Sequence, residues 1–326
     1  MAEKITFAVC GDPHSEMIHD GDKRMESFLD AARRENADFI IHLGDLTYPN
    51  DRSKSNCPVD KMPENVYDAH ILKTTKDTEL PLRIFESFEK PHFHVMGNHE
   101  FDFSSAESIL ELYDVPNTYY SFHMKGWHFI VVDGNFYKNE KGEICHYNRG
   151  DYFLTTDLPY VSREELEWLR KELKSSTEPI VFFSHQPLFD YDGGLLNLDE
   201  FNAVINEAKA NGADIRMFIN GHMHVDDLDV IDGIPYYNVN SMSNMWVGKR
   251  RQYEGRFSPE IEKNNPCLKY LIPYRTAIYS IVTLDENGVS VKGKNSSYVQ
   301  PGPRKLNYTG KISAKSKSWQ MNWSKK

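Results

Sequence analysis

Residues 219–227 read INGHMHVDD, an apolar run that stops at a glycine and then places His222 and His224 one residue apart. The run behind them, residues 215–220, is short and is cut off by Gly221, which is the pattern of a buried strand. Four other runs have the same character and a comparable ending. Residues 5–10 precede Gly11-Asp12-Pro13-His14, residues 39–43 precede Gly44-Asp45, residues 92–96 precede Gly97-Asn98-His99-Glu100, and residues 180–184 precede His185. A sixth run, 127–132, ends in Asp133-Gly134-Asn135. Amphipathic stretches at 23–35, 162–175 and about 198–211 read as helices between the strands; Ser162 and Glu165 form a capping-box pattern at the start of the second, and Gly212 closes the third. Strand and helix alternate, which predicts an α/β architecture.

The carboxyl ends of strands line the ligand crevice in α/β sheets, so this arrangement delivers polar groups from five chain segments to one edge. Imidazole, carboxylate and amide oxygen are metal donors, and the glycines let the backbone turn so that those side chains aim inward. A single histidine at a strand end is more often a satisfied turn residue, and His42, His92, His94, His123 and His128 are assigned to core or surface on that ground.

In order along the chain, these blocks match the D-x-H, G-D, G-N-H-[DE], lone H and G-H-x-H pattern of calcineurin-like metallophosphoesterases, which the sequence therefore resembles over residues 11–224. The resemblance implies a β-sandwich of mixed sheets flanked by helices, a four-layer α/β/β/α fold. It implies two divalent metal ions, Mn, Fe or Zn: one held by Asp12, His14, bridging Asp45 and His224, the other by Asp45, Asn98, His185 and His222. Two such ions about 3.5–4 Å apart share a hydroxide nucleophile and clamp the phosphoryl oxygens of an in-line displacement. His99 is implied to act at the transition state, protonating the leaving alkoxide or bonding a phosphoryl oxygen. The block Gly44-Asp45-Leu46-Thr47-Tyr48 also resembles G-D-x-x-Y of purple acid phosphatases, where the tyrosinate ligates ferric iron. His14 would fill that position here, so Tyr48 is read as packing beside the site or as standing in for the aspartate that supports the histidine in many relatives.

Composition sets the outer bounds. With 326 residues, 40% hydrophobic, the chain is long enough for a large buried core. Its 48 acidic and 38 basic residues give a formal charge of −10, a field that repels nucleic acid and anionic membranes. Cys10, Cys57, Cys145 and Cys267 are scattered, so no disulfide is expected, and a soluble, cytoplasmic protein is the expectation. The organisation expected is one domain over residues 1–300, followed by a basic tail, 301–326. Residues 304–326 carry seven basic and no acidic residues, a composition read as solvated and partly disordered. Residues after 276 read as a hairpin turning at Glu286-Asn287-Gly288.

Substrate choice must come from the loops, since a metal centre recognises only the phosphoryl group. Three long segments, 47–80, 134–160 and 241–275, are expected to wall the site. Arg149 and Tyr152 in the second, and Trp246, Lys249, Arg250, Arg251 and Tyr253 in the third, are the candidate substrate contacts. The function expected is hydrolysis of a small phosphorylated substrate, a phosphodiester or a nucleotide-like diphosphate, with a phosphomonoester as the alternative. A nuclease is disfavoured by the acidic charge, a metal-free scaffold by the complete donor set, and a protein serine/threonine phosphatase by the missing G-D-x-x-D-R-G block.

Overall fold

Two six-stranded sheets stack face to face in the computed structural model, which describes residues 2–48 and 64–323. The first runs, in spatial order, Trp319–Asn322, Gly288–Gly293, Ser280–Leu284, Ile5–Cys10, Phe39–His42 and His92–His94. Its last three strands are parallel and the rest pair antiparallel. The second runs Asp227–Ile231, Ile234–Asn238, Ile215–Asn220, Ile180–Ser184, Trp127–Val132 and Tyr120–Met124, with its four middle strands parallel.

Strand alternation explains the layering. Phe7 and Val9 point into the seam between the sheets with Phe39, Phe129, Phe183 and Ile219, and Phe7 meets Phe129 and Phe183 edge-on at 6.0 and 5.6 Å. Ala8 and Cys10, one residue out of phase, face the opposite way, onto Phe28 of helix Gly21–Arg34 and Phe85 of helix Glu64–Glu86. Ile130, Phe182 and Phe218 do the same on the other sheet, against Leu169 of helix Arg163–Ser175 and Phe201 of helix Leu198–Ala210. The result is the expected four-layer α/β/β/α sandwich. The capping box is half made: Ser162 Oγ accepts from Glu165 N at 3.1 Å, while the Glu165 carboxylate accepts instead from Asp133 N at 2.9 Å.

Several expectations are corrected. The end of the 47–80 segment is the start of the 23-residue helix Glu64–Glu86, whose anchors Leu82 and Phe85 come only in its last turns, so the apolar periodicity is weak in the stretch that reads as loop. Residues 49–63, Cys57 among them, lie outside the described residues; Cys10 and Cys145 are free thiols. Segment 134–160 carries a small hairpin, Phe136–Lys138 with Ile144–His146, and segment 241–275 carries strands Asn244–Trp246 and Leu271–Pro273 paired antiparallel. The basic tail contributes strand Trp319–Asn322, which pairs with Gly288–Gly293 while Trp319 and Met321 pack against the inter-sheet core. Its charge reads as solvated, but alternating Trp, Met and Trp supply a strand face that the charge count hides. Among the described residues no helix is long and apolar enough to cross a membrane.

Candidate metal centre

The parallel strands of both sheets end at the same edge, and the polar blocks meet there. Asp12, His14 and His224 offer ligand atoms within 4.8 Å of one another, and so do Asp45, His185 and His222. The Asp45 Oδ2 lies 3.7 Å from His14 Nε2 and 3.4 Å from His185 Nε2, so one carboxylate faces both groups. Asn98 Oδ1 lies 3.1 Å from His185 Nε2, and His222 Nδ1 lies 3.0 Å from the same nitrogen. The structure thus brings together all seven residues of the expected donor set.

Ring orientation says what the two groups suit. His224 Nδ1 sits 2.9 Å from the Asn244 carbonyl and His185 Nδ1 sits 2.7 Å from the Leu43 carbonyl. A carbonyl only accepts, so each Nδ1 carries a hydrogen and each Nε2 points inward, where its lone pair is what a metal ion would take. His224 Nε2 then faces His14 Nε2 at 3.3 Å and Asp12 Oδ1 at 3.3 Å. Lone pairs and carboxylate oxygens converging at such distances repel one another unless a cation lies between them, so the donor set fits divalent metal ions. Burial disfavours a charged His185, yet Asp45 and Asp12 outweigh it and hold that ring up to about 10, so these carboxylates call for positive charge at its Nε2, a proton that a metal ion would displace. Burial pushes His14 down to about 3 and His222 down to about 4, keeping them neutral.

The backbone is bent to aim these groups. Asp12, His14, Asp45, His222 and His224 all have positive φ, between 44° and 67°, a region that non-glycine residues seldom occupy and that clusters at functional sites. Close approach also requires glycine: a Cβ on Gly97 would lie 2.3 Å from Asp45 Oδ1, and one on Gly221 would lie 2.7 Å from Asp12 Oδ2. The buried Glu100 ties the turn together, accepting from the backbone N–H of Asp45, Leu46 and Gly97 at 2.9, 2.8 and 2.7 Å.

His99 projects beside the donors, and its backbone N–H donates to Asp45 Oδ1 at 2.9 Å. Its Nδ1 lies 3.0 Å from Asp102 Oδ2, whose other oxygen accepts from Tyr152 OH. Burial opposes charge on His99, but Asp102 and Asp45 hold it up to about 9. The partner of His99 is therefore Asp102 rather than Tyr48, a residue that the sequence reading missed although it stands three positions on, within one 3-10 turn. Tyr48 packs its ring edge-on against His99, centroids 4.5 Å apart.

His42, His92 and His94 sit behind this edge. Gly44 N donates to His42 Nδ1 at 3.2 Å, so His42 Nε2 carries the hydrogen to His94 Nδ1 at 2.8 Å, and His94 Nε2 is left protonated toward Glu86 at 3.7 Å. This donor chain supports the reading of His42 and His94 as structural, although Glu86, His92 and His94 also cluster as possible ligands, as do His123, His128 and Glu172.

A cleft of about 530 Å³ opens over the donors, lined by His14, Asp45, Asn98, His99, His222 and His224 together with Met17, Tyr48, Phe153, Asp192, Gly193, Met223, Asn244, Met245 and Trp246. The expected substrate contacts Arg149, Lys249, Arg250, Arg251 and Tyr253 do not line it. Arg251 stacks on Tyr308 instead, 5.3 Å from its ring centre, because the 3-10 turn Lys249–Arg251 follows Gly248 away from the cleft. Tyr152 is buried beneath Asp102. Of the basic and aromatic cluster singled out in sequence, only Trp246 reaches the cleft.

The family model described as calcineurin-like phosphoesterase matches residues 5–226. A comparison with curated proteins gave no match. Among solved structures the chain is similar to a dimetal phosphatase from Danio rerio, with 15% identity, TM-score 0.61 and coverage of 90% of this chain and 98% of that one. It is also similar to GAP50, the anchor in the inner membrane complex of Plasmodium, at 16% identity, TM-score 0.49 and coverage of 95% and 89%. At 15% identity the likeness to the Danio rerio phosphatase speaks for a shared fold alone.

Proposed function

Because the chain belongs to the calcineurin-like phosphoesterase family and is a phosphoric ester hydrolase, we propose that its two donor groups hold two divalent cations and that it hydrolyses a phosphodiester carrying a sizeable organic group. The observation that carries this reading is the shared Asp45 carboxylate, set between two groups whose histidine lone pairs converge. Asp12, His14, Asp45 and His224 would hold one cation, and Asp45, Asn98, His185 and His222 the other. Bound there, the ions supply a water-derived nucleophile at neutral pH and neutralise charge on the phosphoryl oxygens.

The chain's own residues do the rest. His99 gives its Nδ1 hydrogen to Asp102, which fixes the ring and leaves Nε2 to deliver a proton to the departing oxygen. Asp45 is held in place from both sides, by Glu100 through its backbone N–H and by His99 N through its Oδ1. The cleft, about 530 Å³, is far larger than a phosphoryl group needs and is within the range of small-molecule sites. No lysine or arginine lines it among the described residues, while Asp192 does. That balance favours a monoanionic diester over a dianionic monoester, and it removes the second anion contact that a nucleotide-like diphosphate was expected to find at Lys249–Arg251.

The test is metal analysis after mild purification, paired with a hydrolysis screen over bis-p-nitrophenyl phosphate, p-nitrophenyl phosphate, cyclic nucleotides and nucleotide-diphospho compounds with Mn²⁺ added. About two metals per chain and a preference for diesters are expected. Protein that binds no metal and cleaves none of these esters would refute the reading, and faster cleavage of monoesters would restore the phosphomonoesterase alternative.

A further inference from the structure

The cleft has two kinds of wall. One is the donor edge. The other is built by Met17, Tyr48, Phe153, Met223, Met245 and Trp246, which are aromatic rings and thioethers from five separate segments. Two of these expose apolar surface that packing alone does not call for: Trp246 is 41% and Phe153 47% exposed. Both are nonetheless anchored. Trp246 leans on Tyr270 at 5.7 Å and on Tyr48 at 5.9 Å, while Tyr48 in turn abuts His99, and Phe153 stacks on Tyr152 at 4.2 Å. Rings that are held from behind and left open in front present a ready surface for a flat group, at little cost in side-chain entropy.

A second, independent observation concerns Asn244. It lines the same cleft, is 1% exposed, and both its Oδ1 and its Nδ2 are buried without a partner. Leaving a buried donor and acceptor unpaired is costly, so such an amide is expected to have a use. Its backbone carbonyl is engaged by His224, which fixes the residue beside the donors. Asn244 and Trp246 are separated by one residue in strand Asn244–Trp246, so they share a strand face.

We propose that Trp246 and Asn244 select the organic group of the substrate, and that this group is a planar, uncharged heteroaromatic ring, stacked on the Trp246–Tyr48 wall with a ring heteroatom hydrogen-bonded to the Asn244 carboxamide. This rests on the phosphoesterase reading and deepens it. Thioethers of Met17, Met223 and Met245 adapt to the ring outline, which admits a range of ring shapes rather than one.

The test measures binding rather than turnover. Dissociation constants of methylphosphonate, benzylphosphonate and pyridin-3-ylmethylphosphonate for the Mn²⁺-loaded protein are obtained by titration calorimetry, with tryptophan fluorescence followed in parallel. The phosphonate head is common to all three, and the last two are isosteric and differ by one ring nitrogen. Benzylphosphonate is expected to bind roughly tenfold more tightly than methylphosphonate, the worth of one aromatic contact, and to quench fluorescence. Trp246→Ala is expected to collapse that ratio and abolish the quench. The pyridyl compound is expected to bind several-fold more tightly than the benzyl one, a preference lost in Asn244→Ala while metal content is kept. Normal metal content and methylphosphonate binding with no benzyl or pyridyl preference would overturn this inference and leave the phosphoesterase reading standing. Absence of metal and of all phosphonate binding would overturn both.

Discussion

Replacing Asp102 by asparagine tests whether the carboxylate acts through His99. The wild-type carboxylate is fully buried, so water screens it little; it takes His99 Nδ1 at 3.0 Å on one oxygen and Tyr152 OH on the other. Asparagine keeps the shape and an acceptor for Tyr152. It turns its NH₂ toward His99, donor against donor, so the ring must give up the Nδ1 hydrogen and loses the negative charge that stabilises its protonated form. A hydrogen bond to a charged group is worth about 1.5–3 kcal/mol, and 1.36 kcal/mol of barrier is a factor of ten, so turnover should fall roughly 10–10²-fold. His99→Asn should cost more, on the order of 10²–10⁴, because the proton donor itself is gone. The decisive measurement is the double variant. If Asp102 serves only to hold and charge His99, then His99→Asn with Asp102→Asn turns over no more slowly than His99→Asn alone. The assay is steady-state hydrolysis of bis-p-nitrophenyl phosphate, with metal content and melting temperature measured on each protein. Independent, multiplying losses in the double variant, or metal loss in Asp102→Asn, would refute the reasoning.

Gly97→Ala should abolish binding of at least one metal per chain, since the new Cβ would lie 2.3 Å from Asp45 Oδ1; full metal content by elemental analysis would count against Asp45 as the shared ligand. Adding Mn²⁺ to chelator-stripped protein should raise the melting temperature by several degrees, as about 2.7 kcal/mol accrues per site at a hundredfold excess over the dissociation constant, and an unshifted melt would contradict the site. Away from the metals, His146 Nε2 lies 2.8 Å from Asp133 Oδ2; burial disfavours its charge, but Asp133 outweighs burial and holds the pKa above the usual value. A raised histidine pKa stabilises the fold below about 6.5 and the contribution is lost as pH rises through the folded value, so the fall in denaturant stability over that window should be smaller in His146→Asn than in the wild type, and an equal fall would count against the pair. Ending the chain at Lys317 removes strand Trp319–Asn322 and should lower the melting temperature on the order of 5 °C or more, whereas a merely solvated tail would leave it unchanged.

What was legible in the sequence follows from how short-range its signals are. A strand that ends in glycine and a polar cluster is encoded within a dozen residues, so Asp12, His14, Asp45, Asn98, His185, His222 and His224 could be read as one edge, and their order along the chain carried the resemblance that implied the fold. The hairpin turning near Asn287 was readable for the same reason, since alternation and turn residues lie side by side. Other decisions belonged to the tertiary structure. Sequence did not say that strands 5–10 and 180–184 lie in different sheets, because both are apolar on two faces and either face could meet a helix or a sheet. Nor did it point to Asp102 as the partner of His99: the acid stands only three residues on, but it is the direction of the 3-10 turn His99–Phe101 that puts its carboxylate on Nδ1, while Tyr48, from a distant segment, packs edge-on against the ring. The same holds for the cleft, where Lys249, Arg250 and Arg251 looked best by charge and Asn244 and Trp246 line the wall. Charge is a property of composition, but which face of a loop meets a cavity depends on what the loop packs against, here strand Leu271–Pro273 and Tyr270, more than twenty residues further along the chain. The basic tail closes as an edge strand because Gly288–Gly293, the outer strand of that hairpin, leaves a row of unpaired backbone groups that a further strand can pair.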